Sequence, residues 1–531
     1  MKRRSFVRIG AQLAGGMATL PLLPGCGGGG EAGPVSREAL ADARRSAAGV
    51  VAPPRTYATA AGAMIYGGRW GNPMLELLIA APENSWVQAN TNTFDSVWAE
   101  PDLIAGIGGP GSPSKVIYAW ASFAWDSTRS RMVLYGGGHA NYDGNEIYIF
   151  DGLTRQWSLA FHASDVRVYS GAEYVTVDGP LHSPVSAHTY DNNGYLQVLD
   201  RFVTFGGAAA HSGGAYMVHG DGPDRFAGPY TLDLAQAGQG KVGGTTGSNV
   251  QRNTTAGLSL PGANAWAMRD YFKDHPAAAA LTGKWAHVSC GSAYRIEGGK
   301  DVIYKYQYFN QSLWRYQFND HDYHNDTITQ IGRSDPSTTG WDSTCALDTD
   351  NDIFLAMGSV VDDVLHGYDL KQYAGTPIGN FRVRAAGLTG PGAAEFLADP
   401  AANRFGLDYD TINQRFVAWS EGGKVYGIQH GGGAYTGNWV VTVLNSGAAP
   451  VDQRPKTRTE LDAEPVGAFS NSSTSTNGKW KWASDLNAFV GLQHCYDGNV
   501  WLYKPHDWTP PSHSSAPQDN RVRALQSSRQ Q

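Results

Sequence analysis

The sequence predicts an all-β fold, a β-propeller of six or seven blades with seven favoured, and three observations lead there. First, the 531 residues hold 66 glycines, about 12% against a usual ~7%, together with 26 Tyr and 16 Trp. That is the profile of a β protein with many turns. Second, one pattern recurs: a polar turn, an apolar strand of about five residues, then glycine or another small residue. It is seen from Arg131 to Gly137, Arg201 to Gly207, Asp352 to Gly358 and Arg415 to Ser420, with a looser copy from Asn487 to Gly491. Third, each of the first four copies follows a short segment that ends in aspartate, at Asp126, Asp191, Asp348 and Asp410. Repeats of this size are sheets too small to bury both faces alone, and they stack radially into a ring. A pair of packed β-sandwiches is the alternative.

Taken in order, the chain opens with Lys2, Arg3, Arg4, Phe6 and Arg8, then a mildly apolar run from Ile9 to Leu23. This resembles a twin-arginine export signal, and the run is too short and too broken by glycine and Pro21 to span a membrane. Leu23-Pro24-Gly25-Cys26 resembles a bacterial lipoprotein box, which implies that Cys26 is acylated after residues 1–25 are removed. Gly27 to Gly30 read as a flexible tether. Gly27 stands where aspartate would retain such a protein at the inner membrane, so an outer-membrane destination is favoured, at the periplasmic face or the cell surface. The expected divisions are a signal over 1–25, a tether over 26–54, the propeller over 55–510 and a disordered tail over 511–531.

Within the propeller the copies begin at residues 131, 201, 352, 415 and 487, and the gap from 201 to 352 is about twice the others. A degenerate copy is expected near Asp301 to Tyr304. Further strands are expected at Glu146 to Phe150, Val364 to Leu370, Val425 to Ile428 and Asn499 to Tyr503. A seventh blade needs strands around Gly62 to Trp70 to help close the ring. Ala265 to His275 reads as a helical insertion.

Losing residues 1–25 removes Lys2, Arg3, Arg4 and Arg8, so the formal charge moves from −7 to −11. No basic stripe is present, which excludes nucleic acid as a partner. After Cys26 only Cys290, Cys345 and Cys495 remain, allowing at most one internal disulfide. The chain is expected to act as a monomer whose partners are an extracellular polysaccharide and, through the anchor, a membrane.

The best copy runs Tyr135-Gly136-Gly137-Gly138-His139, on through Phe150-Asp151 to Trp157. Here the sequence resembles the kelch family, whose repeats run apolar strand, Gly-Gly, Tyr-containing strand, then Trp. The resemblance covers roughly residues 110–505, with blades longer than the usual ~50 residues.

Propeller sites gather at one end of the ring, on equivalent loops. His139, His211 and His494 all follow a repeated strand, and His188 and Tyr190 precede the second copy. A cluster of His and Tyr suits proton transfer beside the carboxylate of a uronic acid. β-Elimination needs a base that titrates near neutrality, donors or a cation for the enolate, and an acid at the glycosidic oxygen. The expected catalytic set is His139, His188, Tyr190 and His211, with Tyr142, Asn145 and His494 binding substrate and no metal required. This looks like the layout of propeller-fold polysaccharide lyases such as ulvan lyases. The bland reading makes these histidines hydrogen-bonded loop residues.

Two other readings stand beside it. Copper-radical oxidases such as galactose oxidase resemble this chain in using a kelch propeller. That resemblance would place copper at Tyr323 and His324 with His430 or His494. A non-catalytic glycan- or protein-binding propeller needs only exposed aromatic rings, and fold alone does not decide among these. Asp348, Asp350 and Asp352 mimic the start of a calcium loop, but Ile353 and Ser359 stand where Gly and Glu are required, so they read as a repeat turn. His321 and His324 have zinc-like spacing without a partner pair and read as a loop.

Overall fold

The repeated strands are apolar almost without interruption, as a strand sandwiched between two neighbouring sheets must be. Met132, Val133 and Leu134, like Phe354, Leu355 and Ala356, are fully buried. The computed structural model describes residues 72–98, 112–139, 141–170, 173–180, 182–209, 229–238, 240–247, 260–269, 291–307, 312–320, 322–333, 343–357, 364–399, 404–464 and 475–511. Among these residues six blades form a propeller.

Each blade is an antiparallel sheet whose first strand lies innermost. Blade 1 runs Ser122–Asp126, Arg131–Tyr135, Ile147–Asp151 and Gln156–Phe161. Blade 2 runs Asn193–Leu196, Arg201–Thr204, Tyr230–Leu232 and Trp266–Met268. Blade 3 runs Gly291–Glu297, Lys300–Gln307, Ser312–Phe318 and Thr327–Arg333, and blade 4 runs Thr344–Asp348, Ile353–Met357, Leu365–Asp369 and Phe381–Val383. Blade 5 runs Gly406–Asp410, Arg415–Trp419, Lys424–His430 and Trp439–Ser446. Two-residue segments, Ile378–Gly379 and Leu388–Thr389, add parallel edges to blades 3 and 5. Blade 6 takes Trp480–Ala483, Ala488–Gln493 and Asn499–Lys504 from the C-terminal side and Ser85–Gln88 from the N-terminal side.

The ring is therefore closed by pairing the two ends of the chain, with Ser85 opposite Lys504 and Gln88 opposite Trp501. Trp86 locks this seam. Its ring lies 5.4 Å from Trp419, 5.4 Å from Trp480 and 5.1 Å from Tyr503, and its indole N–H donates to the Gly423 carbonyl at 2.9 Å. Closure by Ser85–Gln88 replaces the strands expected around Gly62 to Trp70, which lie outside the described residues. The favoured count of seven blades is corrected to six. The degenerate copy near Asp301 is the second strand of blade 3, so all six second strands were visible in the sequence.

The repeat turn has a common mechanism. Asp348 Oδ1 accepts the amides of Asp350 and Asn351, and Asp410 Oδ1 accepts those of Ile412 and Asn413. The residue before each second strand then takes a left-handed backbone, at Ser130, Asp200, Gly299, Asp352, Gln414 and Asn487. This combination of turn and left-handed residue reverses the chain between antiparallel strands. The calcium-like run at Asp348 is thus a turn, as its spacing implied. Trp266–Met268, expected to be helical, is instead the outer strand of blade 2. Pairing with Tyr230–Leu232 and burial of Trp266 against Tyr135 and Phe202 override the local pattern.

Apolar clusters fill the gaps between adjacent blades, such as Val133, Tyr135 and Ile147 of blade 1 against Phe202, Tyr230 and Leu232 of blade 2. The axis is polar. Asp191 Oδ1 pairs with Lys481 Nζ at 2.5 Å, its other carboxylate oxygen accepts Thr344 Oγ1 at 3.3 Å, and its backbone carbonyl accepts Ser292 Oγ at 2.8 Å. Asn192 accepts from Lys305, and Asn193 donates to the Ser122 and Tyr135 carbonyls. The segment 189–193 thus ties blade 2 to blades 1, 3, 4 and 6.

Candidate functional site

That axial segment carries the strongest candidate site at its start. Ala187–His188 forms a two-residue ladder with Ala208–Ala209, which fixes His188 beside the hub. The loop after the second strand of blade 1 lies flat against it. A Cβ on Gly138 would come within 2.4 Å of the Ala187 Cα, and one on Gly137, whose φ is 99°, within 2.9 Å of the Lys115 backbone. Only glycine permits both approaches. Ser186 Oγ donates to the Gly136 carbonyl at 2.9 Å, and the loop then delivers His139 onto His188.

The two imidazoles meet edge to face with ring centres 5.0 Å apart. Trp120 lies 4.8 Å from His188 on another side, and Tyr190 stands 6.0 Å away, nearly perpendicular. Asn141 Nδ2 is 3.1 Å from His188 Nε2 and donates to the His139 carbonyl at 2.8 Å. Trp120, His139 and Tyr190 all have left-handed backbones, with φ of 42°, 51° and 47°. Bulky side chains rarely adopt that conformation, and such residues collect at functional sites. Of the four aromatic or imidazole residues in this state among the described residues, three surround His188, and the fourth is His494.

His188 is 1% exposed, while His139 and Trp120 are half-buried and Tyr190 is 8% exposed. Burial, followed by the nearby His139 and Lys479, holds the His188 pKa well below the ordinary value. It is a neutral imidazole at physiological pH. Both charges that act on it are basic, so the surroundings favour an anion.

The structure thus brings together His139, His188 and Tyr190. Tyr142 and Asn145 belong to the same loop but face inward. Tyr142 donates its hydroxyl to Glu146, and Asn145 donates to the Pro184 carbonyl and accepts the Ser164 amide, each at 2.7 Å. Their polar atoms hold the loop. His494 follows the second strand of blade 6, at the end of the ring where His139 lies, but its Nε2 is 3.0 Å from Glu464 and its Nδ1 accepts the Asp497 amide. His211 and Cys26 lie outside the described residues, as do Cys290 and His321. Cys345 and Cys495 are buried.

Three members of the site carried no mark in the sequence: Trp120, Asn141 and Lys479. Trp120, Lys479 and Tyr190 lie shortly before the inner strands of blades 1, 6 and 2, but at different distances from them, so no shared repeat position marks the first two.

The residues of the copper reading are spread over blades 3, 5 and 6. Tyr323 and His324 sit in the connection between the third and fourth strands of blade 3, capped by the Asp322 side chain. His430 ends the third strand of blade 5, and His494 occupies a second-to-third connection, at the opposite end of the strands. An open pocket of about 500 Å³ lined by Arg382, Arg384, Ala386, Gly387, Thr436 and Gly437 lies across the ring, between blades 4 and 5. Among the described residues, Glu83, His506 and Asp507 have metal-like spacing, but all three are exposed and belong to the closure seam. No described helix is long and apolar enough to cross a membrane. No protein-family model matches the chain, and no curated protein matches it.

Proposed function

We propose that this chain is an exported, lipid-anchored kelch-type propeller that cleaves a uronic-acid-containing polysaccharide by β-elimination. The observation that carries the reading is the convergence of three bulky residues with left-handed backbones on one buried, neutral histidine in basic surroundings. The reading is supported by the proximity of His139 and Tyr190 to His188, with ring centres 5.0 and 6.0 Å away.

In this reading His139, the more accessible imidazole, removes the proton on the carbon next to the uronate carboxylate. His188 stays neutral and orients His139 with the help of Asn141. Lys479 supplies positive charge for the carboxylate as the enolate develops. The electron pair forms the carbon–carbon double bond, the glycosidic C–O bond breaks, and Tyr190 gives its proton to the departing oxygen. Trp120 offers a half-exposed ring on which a sugar can stack. The same exposed indole also supports a second reading, a non-catalytic glycan receptor.

The test is incubation with a panel of acidic polysaccharides, following the ultraviolet absorbance of unsaturated ends. The expected result is absorbance growth with one of them, lost by at least a hundredfold in His139→Ala with the fold intact. Binding without absorbance change, equal in wild type and His139→Ala, would leave the receptor reading in its place.

A further inference from the structure

The loop that presents His139 and Asn141 ends on a carboxyl group buried without a counter-charge. Glu146 is 1% exposed. Its Oε1 accepts the hydroxyls of Tyr142, from the loop, and of Tyr148, 3.1 Å away on the third strand of blade 1. Its Oε2 is buried and accepts no hydrogen bond. Phe94 covers Tyr148 at 4.7 Å, and Trp98 and Trp157 extend that apolar wall. A Cβ on Gly144 would lie 2.2 Å from Oε2, so the loop backbone is pressed against the carboxyl group.

The titratable groups around Glu146 are Tyr142, Tyr148 and the buried Asp143. Tyr142 is held protonated, its pKa well above the ordinary value through burial, with the charges of Glu146, Tyr148 and Asp143 adding to the effect. No cation is among the groups that shift Glu146, and its main influence is burial, which pushes it up to about 7. An ionised Glu146 would leave a charged oxygen buried without a hydrogen bond, which is far more costly than a neutral carboxyl there.

We infer that Glu146 is a positioning residue: its uncharged carboxyl lets the loop close over it, with Tyr142 as the link that holds His139 and Asn141 against His188, and its ionisation opens that loop because the unpaired Oε2 then requires water. Resting on the proposed site, this makes the site regulated by proton concentration across the neutral range. The device is reversible and acts at a distance from the reacting atoms. Glu146 touches neither imidazole; it acts through Tyr142, three residues after His139.

The experiment is hydrogen–deuterium exchange of the segment 136–147 in the full exported protein from pH 5.5 to 8.5, corrected for intrinsic exchange. Wild type is expected to lose at least tenfold protection through a transition centred near pH 7. Glu146→Gln, which keeps shape but cannot ionise, is expected to stay protected throughout. Tyr142→Phe removes the link between the carboxyl and the loop, so protection of the segment is expected to be low at every pH. A wild type without a transition, or the same transition in Glu146→Gln, overturns the inference. Because exchange needs no substrate, the switch is judged separately from the lyase reading. If lyase activity is found, its kcat should fall with the same midpoint in wild type and not in Glu146→Gln.

Discussion

His188 combines three unusual conditions in one side chain: burial, basic neighbours and contact with residues in left-handed backbone. The first two bear on its protonation. With its folded pKa held below the unfolded value, the folded state binds fewer protons than the unfolded state in the range below about 6.5. The contribution of His188 is therefore present above that range and is lost as the pH falls toward its folded pKa. Urea unfolding at pH 7 and pH 5 should show wild type losing more stability on acidification than His188→Asn does. Glu146 has the opposite sign. A carboxyl raised to about 7 favours the folded state most below pH 4.5, and that contribution, roughly 3 kcal/mol, disappears as the pH rises to about 7. The two contributions therefore run in opposite directions with pH.

At the scale of elements, the second strands of the blades were legible because burial on both faces leaves them almost wholly apolar, and because an aspartate-directed turn precedes those of blades 1, 4 and 5; Asp191, which looked like the same turn in blade 2, lies instead before the inner strand, on the axis. The outer strands were harder to read. Trp266–Met268 is three residues long, and its identity comes from Tyr230–Leu232 beside it. The closing strand, Ser85–Gln88, has only Trp86 and Val87 to mark it, and its partner lies more than four hundred residues away. Counting blades from the sequence failed at that strand alone. In the site, His139, His188 and Tyr190 were readable from their places next to repeated strands. Asn141 and Lys479 were not, since nothing local says which imidazole a side chain from the same loop or from blade 6 will face. The closing strand also supplies a prediction. Trp86→Ala removes a ring packed against Trp419, Trp480 and Tyr503, so it should cost about 3–5 kcal/mol in chemical denaturation. Substitution of the exposed Gln88 should cost little.

The whole molecule is held by two devices, one at the rim and one on the axis. The axial pair of Asp191 and Lys481 joins blades separated by 290 residues, with Asp191 1% and Lys481 16% exposed at the side chain. Removing one partner strands the other charge in the interior. Asp191→Ala should therefore destabilise by about 3–5 kcal/mol, whereas a joint Asp191→Leu, Lys481→Met replacement should cost less than either single change. Calorimetry of the three variants tests this directly. The segment holding Asp191 also begins with His188 and Tyr190, so loosening of the axis would be felt in the site. The rim device has a different implication, one of timing. Because blade 6 is shared between residues 85–88 and 480–504, a growing chain carries five blades and an uncovered Trp86 until its last strand leaves the ribosome. Between completion of blade 5 at residue 446 and emergence of the strand Asn499–Lys504, the polypeptide is a ring left open at blade 6 with two unpaired edges. Its survival through that interval depends on a holding chaperone or on rapid completion, and translation stalled before residue 499 would yield a species prone to joining edge to edge with others of its kind.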